Sequence, residues 1–387
     1  MRLSVLPLLL ISSVFLVAQT PAKSAPPVAP KAATKAASKP APKASPKADA
    51  DAEIARRALR GTLDAVDAGW FGKAYQGISA VQMHGTLSIA LSGSLVNQKV
   101  DTLSQGLVQG NSQGGQANLR VKGIYFAKGD FKTDLAGDFG TLLYTRRGNR
   151  GFLFSKDQNA YTTRVDPPAS DAPMTYMAWF RQTLNDIKAV YIDAPTFKAS
   201  LGGEEANGGR PTQRLVFTAS TQGWDAKKRE QSMAQSLGFW KRGRLEVTVD
   251  KDTKQPQRLD FRNDEQGVHT RMEFSYGANG RLQSVNINNS SRGFEGPGWL
   301  RVGYGGDGRM ASVAGELASQ DKRVAFAMDL AWSKTMTGAD IAAIPPAGAT
   351  KRGREEMETQ LMVGLASKIF DLQRAGLNLR SIAISGK

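Results

Sequence analysis

Cysteine is missing from all 387 residues, which excludes disulfides, thiolate metal sites, a thiol nucleophile and a lipid-modified N-terminal cysteine. Histidine is nearly missing as well. His84 and His269 are far apart, each inside an alternating pattern, so a histidine metal centre has too few ligands to build from. Satisfied surface or packing roles are expected for both. Aromatic residues make up only 8% of the chain, and no basic-and-aromatic motif of an RNA-binding sheet occurs. No nucleic-acid partner is therefore expected. A continuous apolar run of about 20 residues, the length of a membrane span, is also lacking.

What is present begins with Arg2 and a mostly apolar stretch from Leu3 to Ala18, interrupted by Pro7, Ser12 and Ser13. That pattern reads as a secretory signal over residues 1–20. Cleavage would make the protein periplasmic or secreted; retention would leave a membrane anchor. Residues 21–50 follow as a tether of Pro, Ala, Lys and Ser, a mixture that cannot bury a core. Its lysines recur every fourth residue from Lys31 to Lys47, but the prolines forbid a helical reading of that period. The tether reads as a solvated spacer, or as a segment in loose contact with an anionic envelope polymer or membrane surface. The net charge is +16, and removing the tether's six lysines and Arg2 leaves +9 for the remainder, which is only moderately basic.

Residues 51–387 have the composition of one folded domain with a real core. A helix is predicted from about Asp51, with Ala55, Leu59, Thr62 and Val66 on one face. From Ser79 to about Val165 the apolar period drops to two, as in Leu87, Ile89 and Leu91, and Gly, Asn and Asp punctuate it. This predicts a meander of antiparallel strands. A helix over 173–190 is expected next, with Met174, Met177, Phe180, Leu184 and Ile187 at helical spacing as core or as a lid over an apolar ligand. Further helices are expected over 227–237 and 355–373. Strands resume at Arg244 with Leu245, Val247 and Val249, then Leu259 and Phe261, then Met272, Phe274 and Tyr276.

Gly303, Gly305 and Gly308 in "GYGGDGRMASV" match the spacing of a dinucleotide-binding turn. A comparison within the chain argues for another origin. Residues 276–285 read "YGANGRLQSV" and residues 304–313 read "YGGDGRMASV", identical at six of ten positions. Each copy follows an alternating strand, and Asn279-Gly280 and Asp307-Gly308 suit the positive φ of a two-residue hairpin loop. The glycines are thus predicted to turn the chain rather than cradle a phosphate. In the strand that follows, Val324, Phe326, Met328, Leu330 and Trp332 share one face while Ala325, Ala327, Asp329 and Ala331 share the other. Both faces are expected to be largely covered.

Chemistry is hard to find. Hydroxyl groups are plentiful, but none is read as an activated nucleophile. "DKDTKQP" starts like a calcium loop at Asp250 and Asp252 and then lacks the Asx-Gly and the distal Glu. Asp260, Glu273 and Asp329 are the strand acids a hydrolase would need to bring together, and exposure or ion pairing serves them equally well. The expectation is no enzyme, no catalytic residue, no metal and no cofactor.

The helix before the first strand, the long meander, "VTVDKDTKQPQRLDFRNDEQG" and "AIPPAGA" together resemble the LolA-like family of bacterial envelope lipoprotein carriers, with its lipid-transport and stress-sensing relatives. The resemblance spans most of residues 52–350. The family has no counterpart to the Lys-rich tether or the last helix, and these bear on the client rather than the fold. The resemblance implies an α+β fold: a large curved antiparallel β-sheet, an incomplete barrel, with helices covering the concave face over an apolar cavity. On that reading Val247, Phe261, Phe274 and Val302 would line the sheet side of the cavity, and Met174, Met177 and Phe180 its lid. The implied function is an exported carrier of a lipid, acyl chain or lipoprotein, whose partner is a lipid or acylated protein. The alternative is an envelope sensor or structural protein that binds a protein or anionic polymer through the same fold with a packed interior.

Overall fold

The computed structural model describes residues 46–92, 114–165, 184–219 and 243–357, apart from short breaks within those spans. Helix α1 runs from Pro46 to Phe71, so it begins five residues ahead of the start read from the apolar spacing. Proline at the first helical position costs nothing, because its missing N–H would have had no partner there, and Asp49 in the first turn suits the helix dipole. The expected face is the buried one: Ala55, Leu59 and Thr62 are buried together with Leu63, and Val66 packs beside them.

Among the described residues sixteen strands form one sheet, curved and open. The first meander is β1 (Ala80–Ser92), β2 (Gly114–Phe126), β3 (Phe131–Gly137), β4 (Gly140–Arg147), β5 (Arg150–Ser155) and β6 (Ala160–Val165). The second is β7 (Phe197–Asn207), β8 (Arg210–Ala219), β9 (Arg244–Asp250), β10 (Pro256–Asn263), β11 (Val268–Tyr276), β12 (Leu282–Ser291), β13 (Phe294–Tyr304), β14 (Met310–Ala318) and β15 (Lys322–Ser333). They join at a central seam where β1 pairs antiparallel with β15, from Ala80 opposite Ser333 to Leu91 opposite Lys322. β6 and β7 therefore stand towards opposite ends of the strand order although they are consecutive in the chain. The two-residue β16 (Thr350–Lys351) caps the β6 edge as a parallel strand, the one departure from an antiparallel ladder among the described residues.

Both copies of the repeat are hairpins, but without the two-residue loop expected: the glycine alone of each Asx-Gly pair takes a positive φ, and the ladder shifts register beside each loop. Gly280 has φ of 72° and Gly308 of 80°. In each turn the outer glycine, Gly277 or Gly305, donates its N–H to the carbonyl of Arg281 or Arg309 at 2.9 Å. Asn279 Oδ1 and Asp307 Oδ1 accept from the same two arginine amides at 3.1 and 3.0 Å. The "DKDTKQP" segment is a third turn. Asp250 Oδ1 accepts the amides of Asp252 and Thr253, both at 2.9 Å, so this carboxylate oxygen is committed to closing the β9–β10 hairpin.

Strand register places one unbroken apolar face across the sheet. Leu215 lies opposite Val247, Val247 opposite Leu259, and Leu259 opposite Met272. Met272 faces Ile287, Leu300 faces Gly315, and Gly315 faces Phe326; Leu87 and Leu119 continue the row beyond the seam. Several of its positions are glycine. A methyl group at Gly298 would meet Leu317 Cδ2 at 2.3 Å, and one at Gly315 would meet Phe326 Cε1 at 2.7 Å. Large neighbours thus lie over small residues, which lets the strands bend inward without crowding that face. The opposite face is largely polar over β9 to β15, where Ala327, Asp329 and Ala331 are exposed, but over β1 to β6 it carries a second buried apolar patch that includes Ala80, Phe126, Phe152 and Phe154. The small side of β15 is therefore open to solvent, not covered as its composition suggested.

Candidate ligand-binding face

Only one end of the apolar face is sealed by described helical residues. There α1, Leu184, Ile187 and the π-helical turn Ala189–Asp193 pack on β7 to β10. Tyr191 is fully buried, its ring edge-on to Phe217 at 5.8 Å between centroids, and burial holds its hydroxyl well above the usual tyrosine range. Lys188 pairs with Asp64 at 2.6 Å and Asp193 with Arg60 at 2.9 Å, tying this segment to α1. These pairs are exposed and fix geometry more than they add stability.

The sequence-derived lining residues divide between two environments. Val247 and Phe261 lie in the sealed cluster, at 3% and 0% exposure. Phe274 and Val302 lie on the same face farther along, where side chains are only partly buried; Leu300, Tyr304, Val324, Phe326 and Trp332 share that condition. All four sheet positions are therefore brought to one face. Met174, Met177 and Phe180 lie outside the described residues, as do the 227–237 segment, the signal and tether up to residue 45, and the last helix beyond Met357.

Sequence reasoning missed the rim of this face. Tyr75, just after α1, accepts a hydrogen bond from the Met310 amide at 2.8 Å and stands edge-on to Trp332 at 4.9 Å. Tyr276 and Tyr304 end β11 and β13 beside it. Tyr276 donates to the Pro256 carbonyl at 2.8 Å. Burial raises all three hydroxyls, that of Tyr304 to about 12, and keeps them neutral at any physiological pH. The signal that would have found this rim is the tyrosine heading each copy of the repeat.

On the polar face the acids do not gather. Glu273 and Asp329 are exposed, whereas Asp260 is held among cations. His269 Nε2 lies 2.7 Å from its Oδ1 and Arg271 Nε donates to Oδ2 at 2.8 Å. Burial pushes the Asp260 carboxyl up, but the hydrogen bonds from Arg271 and His269 outweigh it and leave its pKa below the ordinary carboxylate value. Asp250 is likewise lowered: burial opposes, and the amides of Thr253 and Asp252 prevail. Because both folded-state values are depressed, the stability they contribute is present above about pH 4 and lost as pH falls through those values. The urea midpoint should drop between pH 5 and pH 3, and Asp260→Asn should reduce that drop; an unchanged drop would refute the assignment.

Two hydroxyl spacings escaped the sequence reading. Gly110–Gly114 has the form G-x-S-x-G, and its serine, Ser112, lies outside the described residues. Ser319 and Lys322 have the form S-x-x-K, but they close the β14–β15 hairpin: the Ser319 amide donates to the Lys322 carbonyl at 2.7 Å, and the Lys322 amide to Ser319 Oγ at 3.1 Å. That is a turn, and it presents no activated hydroxyl. Among the described residues no group of three or more His, Asp or Glu side chains could hold a metal ion, and no helix is long and apolar enough to cross a membrane.

The described residues thus form an open, curved, almost wholly antiparallel sheet with an apolar face running across it, the incomplete barrel that the resemblance implied. Solved structures similar to it include a LolA superfamily protein from Nitrosomonas europaea, at 10% identity over 70% of this chain and 91% of that one, with a TM-score of 0.27. Lipoprotein LppX from Mycobacterium tuberculosis shares 9% over 73% and 97%, with a TM-score of 0.20. MucB in the MucA/MucB complex of Pseudomonas aeruginosa shares 12% over 72% and 94%, with a TM-score of 0.17. No family model matches the chain, and no curated protein matches it in sequence. Scores and identities this low carry nothing about a shared ligand, so function is argued from the side chains alone.

Proposed function

We propose that the protein is a non-enzymatic binding protein of the bacterial cell envelope that holds a lipid, an acyl chain or an acylated protein against the inner face of its sheet. The observation that carries this reading is the row of partly buried large apolar residues, Phe274, Leu300, Val302, Tyr304 and Phe326, beyond the end sealed by α1. Contiguous apolar surface of that kind costs free energy in water, and an acyl chain lying on it would remove the cost. Met174, Met177 and Phe180 are assigned in this reading to the movable cover. The apolar N-terminal stretch and the Lys-rich tether suit an exported protein working near an anionic surface.

A second reading draws on the sealed cluster around Val247 and Phe261: an envelope sensor or structural protein with a packed interior that binds a protein or an anionic polymer. Native mass spectrometry of protein purified without detergent separates the two. Co-purified lipid, with a thermal midpoint that falls on delipidation, is the expected result. Lipid-free protein whose midpoint is indifferent to added acyl chains would support the second reading against the first.

A further inference from the structure

The two copies of the repeat place an arginine after each turn, and the two arginines keep different company. Arg309 is fully engaged: Nη1 pairs with Asp307 Oδ2 at 3.0 Å and Nε donates to the Ala74 carbonyl at 2.6 Å. In the other copy asparagine stands where Asp307 does, so the local carboxylate is gone. Among the described residues Arg281 has no carboxylate within ion-pair distance and its guanidinium has no hydrogen-bond acceptor. It is nonetheless half-buried and not extended into solvent. Its Cζ lies 5.4 Å from the centre of the Tyr304 ring, and its tip reaches the neighbouring turn, where a methyl group on Gly308 would meet Nη2 at 2.4 Å. The absence of a side chain at Gly308 makes room for this charge.

The cation therefore sits at the end of the apolar row. Tyr304, the ring beneath it, is two residues from Val302 and four from Leu300 on the same face of β13, and Phe274 and Tyr276 lie on the same side of the sheet two strands away on β11. A guanidinium held over a ring face keeps N–H donors that can meet an anion. We propose that Arg281, held over Tyr304, receives the anionic headgroup of an amphiphile, a carboxylate or phosphate, whose acyl chain lies along Phe274, Val302 and Leu300. This inference rests on the reading of the inner face as an acyl-binding surface, and adds to it the charge and direction of the ligand: head at the hairpin rim, tail toward the middle of the sheet.

The test is competition against a fluorescent fatty-acid probe by oleate, by oleyl alcohol with the same chain and no charge, and by inorganic phosphate. Wild-type protein should prefer oleate to the alcohol by about tenfold, the scale of one charge-assisted hydrogen bond, and phosphate alone should not compete. Arg281→Gln should abolish the preference while leaving alcohol affinity unchanged. Asn279→Asp provides an independent variant, because Asp-Gly forms the same turn and supplies the carboxylate that Arg309 already has; it too should erase the preference. Equal affinity of the wild type for oleate and alcohol, or an oleate preference retained in both variants, would overturn the headgroup site while leaving the apolar face intact. Displacement by neither chain would instead remove the acyl-binding reading itself. Displacement by phosphate alone would make Arg281 an anion site independent of lipid, and would overturn the proposal.

Discussion

Replacing Phe261 with alanine is expected to lower the stability of the fold by about 3–5 kcal/mol, the usual cost of emptying a fully buried aromatic site. Its side chain is fully buried in the cluster built by α1, the 184–192 segment and β7 to β11, and its ring lies where a methyl group on Gly243 would be, 2.2 Å from Cε2. The surroundings cannot collapse to fill the space, since strand register fixes Leu245 and Thr270 on either side. Chemical denaturation followed by tryptophan fluorescence measures the loss. A change below about 1 kcal/mol would mean that the sealed end is loosely packed, contrary to its burial.

The second large effect is expected at the seam. A methyl group at Gly85 on β1 would stand 2.4 Å from the Ala327 carbonyl oxygen and 3.0 Å from Met328 Cα, both backbone atoms of β15. Backbone inside a ladder cannot yield as a side-chain tip can, so Gly85→Ala should cost about 1–3 kcal/mol. Gly61→Ala provides the opposite control. On α1 nothing lies within 4 Å of the added methyl group, and helical propensity favours alanine by about 0.5–1 kcal/mol. Measuring both by urea denaturation tests the seam directly, and a destabilisation at Gly61 equal to that at Gly85 would defeat the argument.

Much of this architecture is legible in the sequence because burial of one sheet face imposes period two. The strands around Leu87, Val247, Phe274 and Phe326 all follow from that alternation, and the repeat identified its own hairpins through Asn279-Gly280 and Asp307-Gly308. β7 and β8 were not read, since Gly202, Gly203 and the acidic run at Glu204 and Glu205 interrupt the apolar period just where the ladder slips register. The pairing of β1 with β15 was out of reach for a different reason: alternation says which side chains face inward, not which distant strand lies next door. Of the candidate face, only the inward phase of Phe274 and Val302 was legible, from strand alternation, whereas Arg281 is a surface-type residue after a turn, and only the company it keeps distinguishes it from Arg309.

The strand order also sets a timetable. As the chain is made, β1 is among the first strands to appear and β15 among the last, so half of the sheet must wait with its inner edge unpaired until the other half arrives. Contacts of such long range are slow to form, and an open strand edge invites pairing with another chain. Refolding from urea is therefore expected to show the β2 to β6 amides protected from hydrogen exchange before those that bridge β1 and β15. The newly made protein would pass through a stage when its most aggregation-prone edge is the line that later becomes the middle of the sheet.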